Sequence, residues 1–118
     1  MLSFSYKFGV PAEADLVFDV RFLPNPNFVP KLKPLTGNHA AVVRYMKRQP
    51  DTRTFLRKLD GLLSYVIPRY IKEGKSYLTI AIGCTGGRHR SVMIANALAE
   101  ALSGQGYPVR VRHRDLRQ

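Results

Sequence analysis

Tyr77-Leu78-Thr79-Ile80-Ala81-Ile82-Gly83-Cys84-Thr85-Gly86-Gly87-Arg88-His89-Arg90-Ser91-Val92 decides the fold of this chain. Tyr77 to Ile82 is an almost unbroken apolar and β-branched run, the pattern of a central parallel strand covered on both faces. After the glycines, Val92, Ala95, Leu98, Ala99 and Leu102 recur at spacings of three and four, and Gly104 ends the segment, which predicts a helix. The order is strand, tight turn, helix start. Unpaired N–H groups and the helix dipole favour an anion at such a start, and Gly86 and Gly87 let the backbone come close to it. Arg88, His89 and Arg90 add charge and side-chain donors, and Thr85 stands in the same turn. These residues are the candidate anion cradle; the alternative is an ordinary turn with solvated basic side chains.

Working outward, Phe55, Leu59, Leu62, Val66 and Tyr70 mark a long amphipathic helix, with Asp51 or Thr52 as its cap and Pro68 as a kink or stop. A shorter helix from about Asn38 carries Val42, Val43 and Met46. At the amino terminus, Leu2, Phe4, Tyr6 and Phe8 alternate with Ser3, Ser5 and Lys7, as in a strand with one wet face. A second strand, Leu16 to Arg21, runs into Phe22-Leu23-Pro24-Asn25-Pro26-Asn27, where two prolines forbid regular structure. If the two strands are parallel, this loop and the glycine turn emerge at the sheet edge where open α/β folds bind ligands. Asn27, with Arg21 and Asn25, is then the second wall of the pocket. Near the end, Val109 and Val111 alternate with Arg110, Arg112 and Arg114, which predicts a strand with its arginines on one face. The expected fold is one α/β domain over residues 1–118, with a mixed, mainly parallel sheet flanked by helices and the anion-binding strand-turn-helix at 77–102.

The 118 residues carry 19 Lys and Arg against 8 Asp and Glu, a formal net charge of +11. So one-sided a balance points first to phosphate-rich partners. Lys31, Lys33, Arg110, Arg112, Arg114 and Arg117 are the candidate RNA contacts. The single cysteine rules out an internal disulfide and fits a reducing compartment. No run reaches the roughly 20 apolar residues of a membrane span, so the expected location is cytoplasmic. No cofactor is expected: G-x-x-x-x-G-K-S/T is absent, and His39, His89 and His113 are too scattered in sequence to suggest a metal site. One enzymatic alternative stands. Cys84, Gly87, Arg90 and Ser91 fit the C-x-x-G-x-x-R-S/T loop of cysteine-dependent phosphatases, with Cys84 as nucleophile, Arg90 gripping phosphate and Ser91 assisting the leaving thiolate. Asp19 and Asp51 are the available acids, although Gly83 stands where those enzymes commonly have His.

Three stretches together, Val17 to Pro26, Pro34-Leu35-Thr36-Gly37 and Ser76 to Val92, resemble the carboxyl-terminal domain of the RapZ family of RNase adapter proteins. The likeness covers nearly the whole chain. It implies a non-catalytic regulatory module with a pocket for glucosamine-6-phosphate, binding of small regulatory RNA, contact with an endoribonuclease, and self-association into a homo-oligomer. The family's pocket positions in the turn match Thr85, Gly86, Gly87, His89 and Arg90. Some relatives carry His after the Asn-Pro pair where this chain has Asn27, which bears on ligand identity because an amide cannot become cationic. The family's P-loop kinase-like domain has no counterpart in these residues, so the resemblance implies a stand-alone relative, with a kinase-like domain on another chain as a further candidate partner.

Overall fold

The computed structural model describes residues 1–117. Strand β1 (Leu2–Ser5) is followed by a 3-10 turn at Tyr6–Phe8, strand β2 (Leu16–Asp19) and a second 3-10 turn at Pro26–Phe28. Helices α1 (Ala40–Lys47) and α2 (Pro50–Lys72) lead to strand β3 (Ile80–Cys84), helix α3 (Arg90–Gly104) and strand β4 (Arg112–His113). The sheet order is β2-β3-β1-β4 and every pairing is parallel, so the antiparallel member expected of a mixed sheet is absent among the described residues. The single helix-flanked α/β domain is otherwise as the sequence indicates.

β3 lies inside the sheet, all five of its residues buried, and it begins three residues later than the apolar run. Tyr77 is 87 % exposed, and the strand is set by Asp15, whose carboxylate accepts the Thr79 N–H at 2.8 Å. Ile80, Ile82 and Cys84 face the main core with Val42 and Met46 of α1, Leu59 and Leu63 of α2, and Ile94 and Leu98 of α3. Each fully buried Ile or Leu there contributes about 1.5–3 kcal/mol. α1 starts at a His39 cap, whose Nδ1 accepts the Ala41 N–H, not at Asn38. α2 starts on Pro50, and its Gln49 cap makes no side-chain bond. Thr52 does not cap either: it is buried, and its Oγ1 has no partner among the described residues. Pro68 does not end the helix; exposed in its last turns, it lets the helix run to Lys72.

β1 departs furthest from expectation. It stands between β3 and β4, so neither face is wet and all four residues are buried. Its register pairs Ser3 with Ile82 and Ser5 with Cys84, placing the serines on the face that carries the main core. They are satisfied there. Ser3 Oγ lies 2.6 Å from His113 Nδ1, His113 Nε2 lies 3.0 Å from Asn96 Oδ1, and Asn96 Nδ2 donates to Asn38 at 2.7 Å. The set is satisfied when His113 is neutral with its proton on Nε2. Leu2 and Phe4 turn to the opposite face, where Phe4 packs edge-on to Tyr6 at 4.9 Å. A Cβ at Gly83 would lie 2.4 Å from the Phe4 ring, so that contact needs glycine. Arg114 covers the ring from outside and donates to the Gly9 carbonyl at 2.6 Å.

The expected basic strand at 109–114 shrinks to Arg112–His113, because only this pair meets β1. Val109 is half-buried against the core, but Val111 is exposed, so the two valines do not both turn inward.

Candidate functional site

In a sheet with parallel strands every carboxyl end points one way. The loops after β2 and β3 meet there, and between them is a pocket of about 160 Å³ lined by Asn25, Asn27, Cys84, Thr85, Gly86, Arg88, His89 and Arg90. The larger hollow, about 1110 Å³, lies at the opposite end of the strands among Ile67, Tyr70, Leu102 and Tyr107, and the Lys75 and Arg110 side chains in its lining are exposed.

The pocket's floor is built by the turn. Gly87 adopts a φ of 71°, the left-handed region open to glycine, and a Cβ there would stand 3.0 Å from Ser5. Its N–H donates to Cys84 Sγ at 3.3 Å, and the thiol lies 3.1 Å from Ser91 Oγ. Ser5 Oγ holds the Thr85 carbonyl. The buried Asp115 accepts the Ser5 N–H at 2.7 Å and pairs with Arg114 at 2.8 Å, tying the carboxyl-terminal segment beneath the turn. Burial works to raise the Asp115 pKa, but the Arg114 hydrogen bonds, the Ser5 N–H and the Arg114 charge outweigh it and hold the carboxyl below its usual range. On the other side, Gly37 donates to the Arg88 carbonyl at 2.7 Å, and a Cβ on Gly37 would lie 2.4 Å from the His89 carbonyl oxygen. Pro34 to Gly37 is thereby laid against the start of α3.

Arg90 is the centre of the site. It is only 5 % exposed, its Nη1 donates to the carbonyls of Arg21 and Leu23, and its Nη2 lies 3.4 Å from Thr85 Oγ1. Among the described residues no carboxylate pairs with it. Burial lowers its pKa, the Asp19 charge opposes that, and the Arg21 charge adds to the drop. A guanidinium stays protonated at neutral pH regardless. Buried charges are normally paired, and this fixed cation faces a small cavity instead of a carboxylate among the described residues. His89 is 6 % exposed, with its Nε2 buried and unpartnered among the described residues. Burial lowers its pKa; the carbonyls of Leu35, Leu32 and Lys33 pull the other way, and the Arg88 charge reinforces the drop. The N–H groups of Gly86 and Arg88 find no acceptor among the described residues.

The geometry sorts the sequence candidates. Asn25, Asn27, Thr85, Gly86, His89 and Arg90 come together around one pocket, and Cys84 joins them at its floor. Gly87 shapes the turn from below. Arg21 does not face the pocket: its guanidinium is held by Asp19 and stacked 3.8 Å from the Tyr6 ring, and only its carbonyl serves the site by anchoring Arg90. Arg88, a donor candidate of the turn, lines the pocket and braces it through the carbonyls of Leu116 and Pro34. Ser91 is buried on the thiol. Asp19 is engaged with Arg21 and Asp51 is exposed in the first turn of α2, so neither acid lines the pocket. Of the surface cations, Lys31, Lys33, Arg110 and Arg117 are exposed without an ion pair among the described residues. Arg112 pairs with Glu13 at 3.1 Å and Arg114 with Asp115. Sequence reading passed over Arg44, Lys47, Arg48, Arg53, Arg57 and Lys58, all exposed at the α1–α2 corner against Asp51 alone. Their density over that short span was the signal.

Among the described residues no helix is long and apolar enough to cross a membrane, and no group of His, Cys, Asp and Glu is placed to hold a metal. The chain is 59 % identical over 115 residues to a nucleotide-binding protein of Acidobacterium capsulatum, covering 98 % of this chain and 38 % of that protein. It is 59 % identical to a nucleotide-binding protein of an Anaeromyxobacter species, covering 98 % of this chain and 40 % of that one. A nucleotide-binding protein of Caldanaerobacter subterraneus is 55 % identical, covering 98 % and 41 %. The chain thus spans about two-fifths of the length of the curated relatives it matches. Residues 1–117 match the family described as the RapZ C-terminal domain, and the chain belongs to that family.

Proposed function

We propose that this domain is a non-catalytic regulatory module that holds a phosphomonoester of the phosphorylated amino-sugar kind in the pocket over Arg90 and binds RNA on its basic surface. The observation that carries the reading is the buried Arg90, unpaired by any carboxylate among the described residues and facing the pocket at the start of α3. The family resemblance supplies glucosamine-6-phosphate as the ligand to try first, and Asn25 and Asn27 offer amide groups to the sugar. Titration calorimetry with glucosamine-6-phosphate tests it: binding in the wild type and its loss in Arg90→Ala support the reading, and equal affinity in both overturns it. The relatives' description as nucleotide-binding proteins does not by itself locate a nucleotide on this chain, which lacks G-x-x-x-x-G-K-S/T. Contact with an endoribonuclease, with a kinase-like domain on another chain and with further copies of this chain belongs to the same proposal.

A second reading has one specific observation in its favour. Cys84 lines the pocket and its sulfur has a backbone N–H and a serine hydroxyl for neighbours, the arrangement a phosphatase thiolate uses. No carboxylic acid lines the pocket among the described residues, since neither Asp19 nor Asp51 reaches it. An aryl phosphate incubated with the protein from pH 5 to 8 distinguishes the two: turnover that disappears in Cys84→Ser would establish the enzyme.

A further inference from the structure

The pocket is smaller than the roughly 300–1,000 Å³ of sites that enclose whole small molecules. At about 160 Å³ it holds a phosphate group and little more. The rest of any phosphomonoester must then lie outside, against the rim, and the rim decides what that rest is. Asn27, a pocket residue, is followed in the same 3-10 turn by Phe28, whose ring is 82 % exposed. Phe22, on the same loop, is 59 % exposed and has its ring edge-on to Phe55 at 5.4 Å; Phe28 has no aromatic neighbour among the described residues.

The turn that presents Phe28 is fixed. Asn25 Oδ1 accepts the Asn27 N–H at 3.0 Å, the Phe28 N–H donates to the Asn25 carbonyl at 3.1 Å, and Pro26 is buried beneath. An exposed ring one residue along the turn from the pocket residue Asn27, with Lys31 and Lys33 exposed a few residues on, offers what single-stranded nucleic acid is held by: a base stacks while cations neutralise the backbone.

Resting on the reading of this pocket as a phosphomonoester site, we propose that it captures the terminal phosphate of an RNA strand, with the adjoining base stacked on Phe28. A terminal phosphate is favoured over an internal one by shape. A pocket of about 160 Å³ takes one phosphate group, and a phosphodiester would need room there for its second ester arm, whereas a monoester presents its free oxygens to Arg90 in the lining.

The test compares one short single-stranded RNA carrying a 5′-phosphate, a 3′-phosphate or neither, alongside inorganic phosphate as probe of the pocket alone. At least one phosphorylated form should bind about tenfold tighter than the form with neither. Phe28→Ala should remove most of that advantage, Phe28→Trp should keep it, and inorganic phosphate should bind all three proteins alike. Equal affinity of the three RNAs, with inorganic phosphate still bound, overturns this inference and leaves the pocket's assignment standing. An advantage untouched by Phe28→Ala overturns the stacking platform. Failure of inorganic phosphate and glucosamine-6-phosphate alike to bind the wild type removes the assignment on which the inference rests.

Discussion

Arg90 illustrates how one residue holds site and fold together. Its Nη1 closes the β2 loop onto the start of α3, while its charge has no carboxylate to balance it among the described residues. A charge-assisted contact to a buried anion contributes about 1.5–3 kcal/mol, so Arg90→Ala should weaken glucosamine-6-phosphate binding by roughly tenfold or more in calorimetry. Cys84→Ser should leave that binding intact, because the sulfur serves the turn. The glycines are expected to separate in thermal unfolding. Gly37→Ala places a Cβ against backbone of α3 and Gly87→Ala must also hold φ 71°, so each should cost on the order of 1–3 kcal/mol. Gly86→Ala, with open space around its Cβ, should leave stability nearly unchanged while narrowing the pocket. Equal stability losses in all three would show that the turn is not packed as described.

At the scale of elements, β1 and β4 are joined to α3 through Ser3, His113 and Asn96, a set that a neutral imidazole with its proton on Nε2 satisfies. Burial lowers the His113 pKa, and it does the same to His89 at the start of α3. A histidine whose folded pKa lies below its unfolded value stabilises the fold fully above the unfolded pKa of about 6.5 and loses that contribution as pH falls from there toward the folded value. The melting temperature should therefore be flat from pH 8 to 7 and decline from about 6.5 to 5. His113→Gln should shallow the decline; an unchanged slope would show that the β1–β4 join does not titrate. A separate loss belongs below about pH 3.8, where Asp115, its pKa depressed in the fold, takes up a proton and releases Ser5 and Arg114.

Over the whole molecule, ion pairing divides a basic surface that composition alone leaves uniform. Arg112 and Arg114 are engaged with Glu13 and Asp115, whereas Lys31, Lys33 and the α1–α2 corner stand exposed. In filter binding, Lys31→Ala with Lys33→Ala should weaken RNA more than Arg112→Ala alone. The affinity should fall steeply with salt, at a slope near −0.7 per phosphate contact for single strands. A hairpin RNA should also exceed an unrelated RNA of equal length at physiological salt. If both bind equally and are lost by about 150 mM salt, the RNA role reduces to bulk charge. The sequence by itself determined the strand-turn-helix, the long helix and the pocket residues of the glycine turn, because periodicity and glycine spacing are local properties of the chain. Only the tertiary structure decided that β1 is interior with its serines turned toward the core, since an alternating pattern does not say which face is covered or by what. It likewise decided that Arg21 faces Asp19 and that Arg90 stands unpaired by carboxylate among the described residues. A side chain's partners come from segments distant in sequence, and their approach depends on how the whole sheet is ordered.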